Sequence, residues 1–281
     1  MNTNLLALHG LKWNPFVPEV PTEALLVTPE IKNFCWRVVR LTRDGGFALI
    51  TGEPGLGKSV ALRLLVDQLT HEGDLTVGVL TRPQTGLLDF YRELGELFGV
   101  QLSPHNRWQG TRLLRQRWQE HIESALLRPV LIIDEAQEMQ PSVLNELRLL
   151  CAADLDSRCP LSVVLGDDLR MGEKFRSPDL LPLGSRIRVR TLLQAAKPDR
   201  LVECLHHSLI QAGNAHLMTE ELMRTVAEHA AGNYRIMMTM AAEVLDEAVQ
   251  QNVKQMDEKL YLELYALAAA SPRRTRQGVA R

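Results

Sequence analysis

Short apolar runs alternate with amphipathic stretches through residue 192 of the 281-residue chain. The runs "FALIT" (47–51), "LTVGVL" (75–80), "VLIID" (130–134), "LSVVLG" (161–166) and "RIRVRTL" (186–192) predict strands. Helical spacing marks "KSVALRLLVDQL" (58–69), then "LLDFYRELGELFG" (87–99) with Gly99 as its stop, then "TRLLRQRWQEHIESALL" (111–127), which Arg128-Pro129 ends. Pro141 opens a further helix to about Ala153. Strands alternating with helices predict an α/β unit with a parallel five-stranded sheet sandwiched by helices. After residue 192 only helical patterns remain: "KPDRLVECLHHSLIQAG", "TEELMRTVAEHAAG", "YRIMMTMAAEVLDEAVQQ" and "DEKLYLELYALAAA", with Gly213 and Gly232 as stops. The expected division is a leading segment (1–46), an α/β core (47–192), a small all-helical domain (193–270) and a basic, disordered tail (271–281).

The first strand runs into "GEPGLGKS" (52–59), a G-x-x-x-x-G-K-[ST] loop that opens a helix, the context in which it cradles a polyphosphate. Gly52, Gly55 and Gly57 let the backbone curl so that its N–H groups point inward at a polyphosphate; Glu53, Pro54, Leu56 and Val60 complete the binding stretch, Pro54 without an N–H to give, and the helix N-terminus adds positive charge. Lys58 is placed for the β- and γ-phosphates and Ser59 for Mg²⁺. The third strand ends in "LIIDEAQEM" (131–139). Adjacent carboxylates at a buried strand end need a cation, and Mg²⁺ supplies it: Asp134 as metal ligand, Glu135 as the group that polarises a water. The adjacent glutamate, and the absence of N-K-x-D, favour ATP over GTP.

Two kinds of arginine join this set. Arg186, Arg188 and Arg190 lie on the fifth strand, and Arg186, at its start, is the candidate to reach a neighbouring subunit's γ-phosphate. Arg235, in "GNYR", opens a helix of the helical domain and is the candidate nucleotide sensor. The fourth strand ends in "LGDDLR", where Asp167 or Asp168 takes the place of a polar phosphate sensor.

Composition limits the partners. The formal net charge is −2, so no global basic field draws the chain to nucleic acid, and any DNA contact is local. Arg107, Arg112, Arg115, Arg117 and Arg128 face only Glu120 and Glu123 over residues 104–128, with Trp108 and Trp118 among them. Two readings stand side by side: a sequence-independent phosphate contact, or a solvated helix face with its tryptophans in the core. The tail arginines Arg273, Arg274, Arg276 and Arg281 add a second basic patch. The four cysteines lack C-x-x-C spacing and read as small buried apolar residues of a reducing compartment. No leader is visible and no apolar stretch reaches the roughly 18 residues of a membrane span, so a cytoplasmic protein without a membrane partner is expected.

Together these residues resemble the AAA+ ATPases, and within them the ExeA-type branch with the transposition helpers of MuB, IstB and TnsC type. The resemblance rests on "GLKWNPF" (10–16), "TGEPGLGKS", "LIIDEAQEM", "NELRLL", "VVLGDDL", "SRIRVRTL" and "GNYR". It implies a P-loop AAA+ fold with a helical lid, and ATP with Mg²⁺. It implies Asn14, Pro15 and Phe16 near the adenine, and self-association into a hexameric ring or helical filament. The implied partners are duplex DNA and a transposase. Relatives carry Gly-Gln or Gly-Asn where this chain has Gly166-Asp167. A secretion-associated or other protein-remodelling ATPase that does not bind DNA is the rival expectation, and a regulatory ATPase on a protein partner, without polymerisation, is a third. A helicase is disfavoured, because only helices follow residue 192.

Overall fold

The computed structural model describes residues 8–101, 107–124, 127–152 and 159–270. They form two compact units, one over Val27–Gln194 and one from the residues before Val27 with those after Gln194. The first contains α1 (Pro29–Leu41), β1 (Gly46–Thr51), α2 (Lys58–His71), β2 (Leu75–Leu80), α3 (Leu87–Phe98), α4 (Arg107–Ser124) and β3 (Arg128–Ile133). It continues with α5 (Pro141–Cys151), β4 (Ser162–Asp167), the short α6 (Arg170–Lys174) and α7 (Leu181–Gly184), and β5 (Ile187–Leu192).

The strands form one parallel sheet in the order β2-β3-β4-β1-β5. The five apolar runs therefore mark the five strands, and the α/β expectation holds. Side chains alternate across the sheet, as the two-residue period requires. Phe47, Leu49, Leu131, Ile133, Val163 and Leu165 pack with Phe90, Leu94, Trp118 and Leu147 on one face. Ala48, Ile50, Val130, Ile132 and Val164 pack with Phe34, Val38, Leu62 and Leu65 on the other. The register sets Thr51 beside Asp167 and Ile133 beside Leu165, which aligns the C-terminal ends of β1, β4 and β3.

Helix α1 was not anticipated, although its signals are present. Thr28 caps it by accepting from Ile31 N, Pro29 stands in its first turn, and Ile31, Phe34, Cys35, Val38 and Leu41 form its buried stripe. Helix α4 is described from Arg107, so it includes residues ahead of the expected 111. The short α6 and α7 are too brief to show a period.

The second unit holds α8 (Pro198–Ala212), α9 (Glu220–His229), α10 (Tyr234–Gln250) and α11 (Glu258–Ala270). Gly213 ends α8 in the left-handed region, at φ 106°, as its position in the sequence suggested. Leu11 and Phe16 are buried with the helices of this unit, and Lys12 N donates to Ala212 O at 2.8 Å. The stretch expected as one segment over 1–46 thus divides at Val27. Among the described residues no cysteine is in a disulfide. Burial pushes the Cys35 and Cys204 thiols up to about 11, which suits buried apolar residues. Among the described residues no helix is long and apolar enough to cross a membrane.

Candidate nucleotide site

The loop between β1 and α2 turns on glycines with positive φ, Gly55 at 87° and Gly57 at 94°. Gly57 is the N-cap of α2, so the free N–H groups of the first helical turn face the loop. A Cβ on Gly52 would lie 3.0 Å from Leu193 O. Glu53 and Pro54 are exposed, Leu56 is buried and Val60 half-buried. Lys58 is buried, and its Nζ donates to Gly52 O at 2.7 Å and Glu53 O at 3.1 Å, both carbonyls of its own loop. Ser59 Oγ donates to Asp134 Oδ2 at 2.6 Å. The sheet thus joins the loop after β1 to the acid after β3.

Asp134 is half-buried; its second oxygen, Oδ1, accepts from Glu135 N at 2.9 Å. Glu135 stands in the left-handed region with φ 53°, a conformation that costs a non-glycine residue about 1 kcal/mol or more. Its carboxylate is exposed and accepts from Gln137 Nε2. A Cβ at Gly166 would lie 2.8 Å from Asp134 Oδ1 and 2.9 Å from Leu62 Cδ1, so the glycine leaves Asp134 its room. A hydroxyl and a carboxylate oxygen converging beside a glycine-lined loop suit a hard dication such as Mg²⁺, which prefers oxygen ligands. Among the described residues no group of three or more His, Cys, Asp or Glu is placed to hold a metal. Protein ligation would rest on Ser59 and Asp134, leaving positions for phosphate and water.

Asp167 is fully buried, and both of its oxygens serve the backbone: Oδ2 accepts from Leu169 N at 2.9 Å and Oδ1 from Met171 N at 3.1 Å. Burial pushes its carboxyl up, against those two N–H groups. Asp167 therefore secures the start of α6. Asp168 is the acid of the pair that feels the Lys58 ammonium; the Arg170 guanidinium, 2.8 Å away, is the main cause holding its carboxyl down. Arg170 also donates to Glu138 Oε1 at 2.7 Å. Lys174 Nζ donates to Gln137 O, and to Met139 O at 3.0 Å. These links from α6 to the turn after Asp134 have no signature in the sequence.

The remaining candidates stand on other elements. Arg186 precedes β5, at the N-terminal ends of the strands, and donates to Pro182 O at 2.7 Å. With Arg43, Arg115, Arg128 and Arg188 it lines a cavity of about 1080 Å³. Arg188 and Arg190 are exposed on β5, and Arg190 donates to Gly184 O at 2.6 Å. Arg112 and Arg117 are exposed on α4. Arg115, expected beside Arg112 on a phosphate-facing surface, turns inward and donates to Leu149 O, to Leu150 O at 3.4 Å and to Ala152 O at 2.5 Å, capping the C-terminal end of α5. Trp118 is fully buried and meets Phe98 edge-on at 5.4 Å, which places this tryptophan in the core. The side chains of Arg107 and Trp108 and the tail arginines lie outside what the structure describes. In the helical unit Asn14 Oδ1 accepts from Phe16 N at 2.9 Å, Pro15 and Phe16 are buried, and Arg235 is exposed on the first turn of α10.

Residues 41–166, from the end of α1 to β4, match the family model of an AAA domain. The fold is similar to that of the ORC2 protein of Aeropyrum pernix, solved in ADPNP–ADP complexes, with a TM-score of 0.71 at 14% identity over 90% of this chain and 71% of that one. The chain has the P-loop AAA+ fold. The ORC1 protein of Aeropyrum pernix in complex with DNA is also similar, with a TM-score of 0.67 at 15% identity, covering 90% of this chain and 68% of that one. In sequence, 153 residues are 33% identical to the general secretion pathway protein A of Aeromonas hydrophila. That match takes in 53% of this chain and 27% of the relative, so the chain spans only part of that protein's length. Lys58, Ser59, Asp134 and Glu135 stand at the C-terminal ends of β1 and β3 in this fold.

Proposed function

We propose that the protein is a Mg²⁺-dependent ATPase that works as a DNA-bound switch and regulates or recruits a transposase. The observation that carries the hydrolytic part is the convergence of Ser59 and Asp134, 2.6 Å apart, beside Lys58 and Glu135. In this reading the N–H groups of Glu53 and of residues 55–60 grip the phosphates, and Lys58 exchanges its loop carbonyls for the β- and γ-oxygens. Ser59 and Asp134 hold Mg²⁺, which when bound neutralises charge on the phosphate oxygens. Glu135 orients the attacking water and takes its proton. Arg186 acts on the ATP of a neighbouring copy, Asp168 takes the phosphate-sensing role of the Asp167–Asp168 pair, and Arg235 is a nucleotide sensor with Asn14, Pro15 and Phe16 at the adenine.

ATP then favours a hexameric ring or helical filament on duplex DNA, contacted through phosphates and without base reading. Arg112 and Arg117, exposed on α4, are the contact candidates within the described structure. The DNA complex of the similar ORC1 protein supports this class of partner. A cytoplasmic location goes with it. The similarity to general secretion pathway protein A favours a second reading, a secretion-associated or protein-remodelling ATPase without DNA. Steady-state hydrolysis and co-sedimentation with and without duplex DNA separate the two. The first reading expects DNA to stimulate hydrolysis and Glu135→Gln with ATP to remain on the DNA. Indifference of both rate and assembly to DNA favours the second.

A further inference from the structure

The turn after Glu135 is held from both sides. Gln137 is 3% exposed, and its Nε2 donates to Glu135 Oε2. Its backbone oxygen accepts from Lys174 Nζ, which also bonds Met139 O at 3.0 Å. Next to it, Glu138 is tied to Arg170, whose Nε reaches both oxygens of Asp168, at 2.9 and 2.8 Å. Helix α6, launched from the end of β4, thus grips the 135–139 turn with two cations. Such a grip has a reason, because Glu135 sits in a backbone conformation that L residues seldom adopt.

The amide of Gln137 is not accounted for by burial. Its Oε1 is buried without a hydrogen-bond partner, which costs stability that an apolar side chain would not lose. Flipping the amide would set oxygen against the Glu135 carboxylate, so the N–H-to-carboxylate orientation is the one chemistry requires. What the glutamine provides is a donor to one oxygen of an otherwise exposed carboxylate.

We infer that Gln137 is a positioning residue for hydrolysis. Its Nε2–H holds the Glu135 carboxylate in one rotamer, and Lys174 keeps the glutamine in place through its carbonyl. The inference rests on the hydrolytic reading above and adds a residue to that site.

The test is steady-state ATP hydrolysis by the full chain with duplex DNA, together with the Kd of a fluorescent ATP analogue and the thermal midpoint of each variant. Gln137→Met keeps the length and removes the donor; kcat should fall roughly tenfold or more, with KM and Kd within about twofold. Gln137→Glu keeps the shape, opposes two carboxylates and should fall at least as far. Gln137→His keeps an N–H donor and should recover roughly a third or more of the wild-type kcat. Lys174→Met should lower kcat in the same direction by less. A folded Gln137→Met with wild-type kcat overturns the inference, as does a rise in KM alone or a folded Gln137→His no better than Gln137→Met. If Glu135→Gln hydrolyses ATP at the wild-type rate, the hydrolytic reading fails as well. If Glu135→Gln is inactive while Gln137→Met is fully active, only the inference fails.

Discussion

The two ends of the sheet use charge in opposite ways. At the C-terminal ends of β1, β3 and β4 the polar side chains engage one another: Ser59 with Asp134, Gln137 with Glu135, Arg170 with Asp168 and Glu138. These pairs hold the loop after β1, the turn after β3 and the start of α6 to one another. At the N-terminal ends Arg43, Arg115, Arg128, Arg186 and Arg188 surround a cavity, with Asp44 and Glu123 as the acids in its lining. There Arg115 and Arg186 donate to backbone carbonyls. A cluster of arginines in a sequence therefore does not identify an anion site until the carbonyls around it are accounted for. In the proposed assembly the arginine end of one copy meets the phosphate end of the next, a head-to-tail association.

The largest expected effects lie at the acidic end. Lys58→Ala should abolish ATP binding and hydrolysis, whereas Glu135→Gln should lower kcat by about 100-fold or more while ATP remains bound. Isothermal titration with ATP and a phosphate-release assay measure the two; normal hydrolysis by either variant would break the contrast between the ends. At the basic end, Arg186→Ala should lower the DNA-stimulated rate by roughly 10³-fold, the scale of a trans-acting arginine. Mixing it with Lys58→Ala should restore activity, because each variant supplies the end the other lacks. No recovery on mixing would leave Arg186 as a structural arginine bound to Pro182 O.

Smaller effects sharpen the picture. Gly166→Ala forces a Cβ to within 2.8 Å of Asp134 Oδ1, and should cost about 1–3 kcal/mol in urea unfolding and raise the Mg²⁺ needed for half-maximal rate. Arg115→Ala should cost about 1–2 kcal/mol of stability through the carbonyls it caps, and Arg117→Ala less than about 0.5 kcal/mol. DNA binding should reverse that order: Arg117→Ala reduces the salt slope by about 1, and Arg115→Ala leaves it unchanged.

Much of this was legible in the chain itself. Buried strands announce themselves as apolar runs, and the glycine-rich loop carries its spacing openly, because its turns need positive φ and its lysine bonds carbonyls of the same loop. Helix α1 was legible too, in Thr28-Pro29 and its buried stripe, but it lay in a stretch taken for a leading segment. The clamp was not legible. Gln137, Glu138, Arg170 and Lys174 meet across more than 30 residues of chain, and ordinary surface residues have the same composition. Asp167 and Arg115 mislead for a related reason: a charged side chain beside a candidate site can equally serve a nearby N–H or carbonyl, and here both do.

In the proposed assembly the phosphate end of one copy is completed by the arginine end of another on DNA. Electron microscopy of Glu135→Gln with ATP and duplex DNA, beside the same mixture with ADP, tests it most directly. A ring or helical filament should form around DNA with ATP only, with Arg186 at the neighbour's phosphates. Monomers under both conditions, or an assembly in which Arg186 faces no nucleotide, would contradict it.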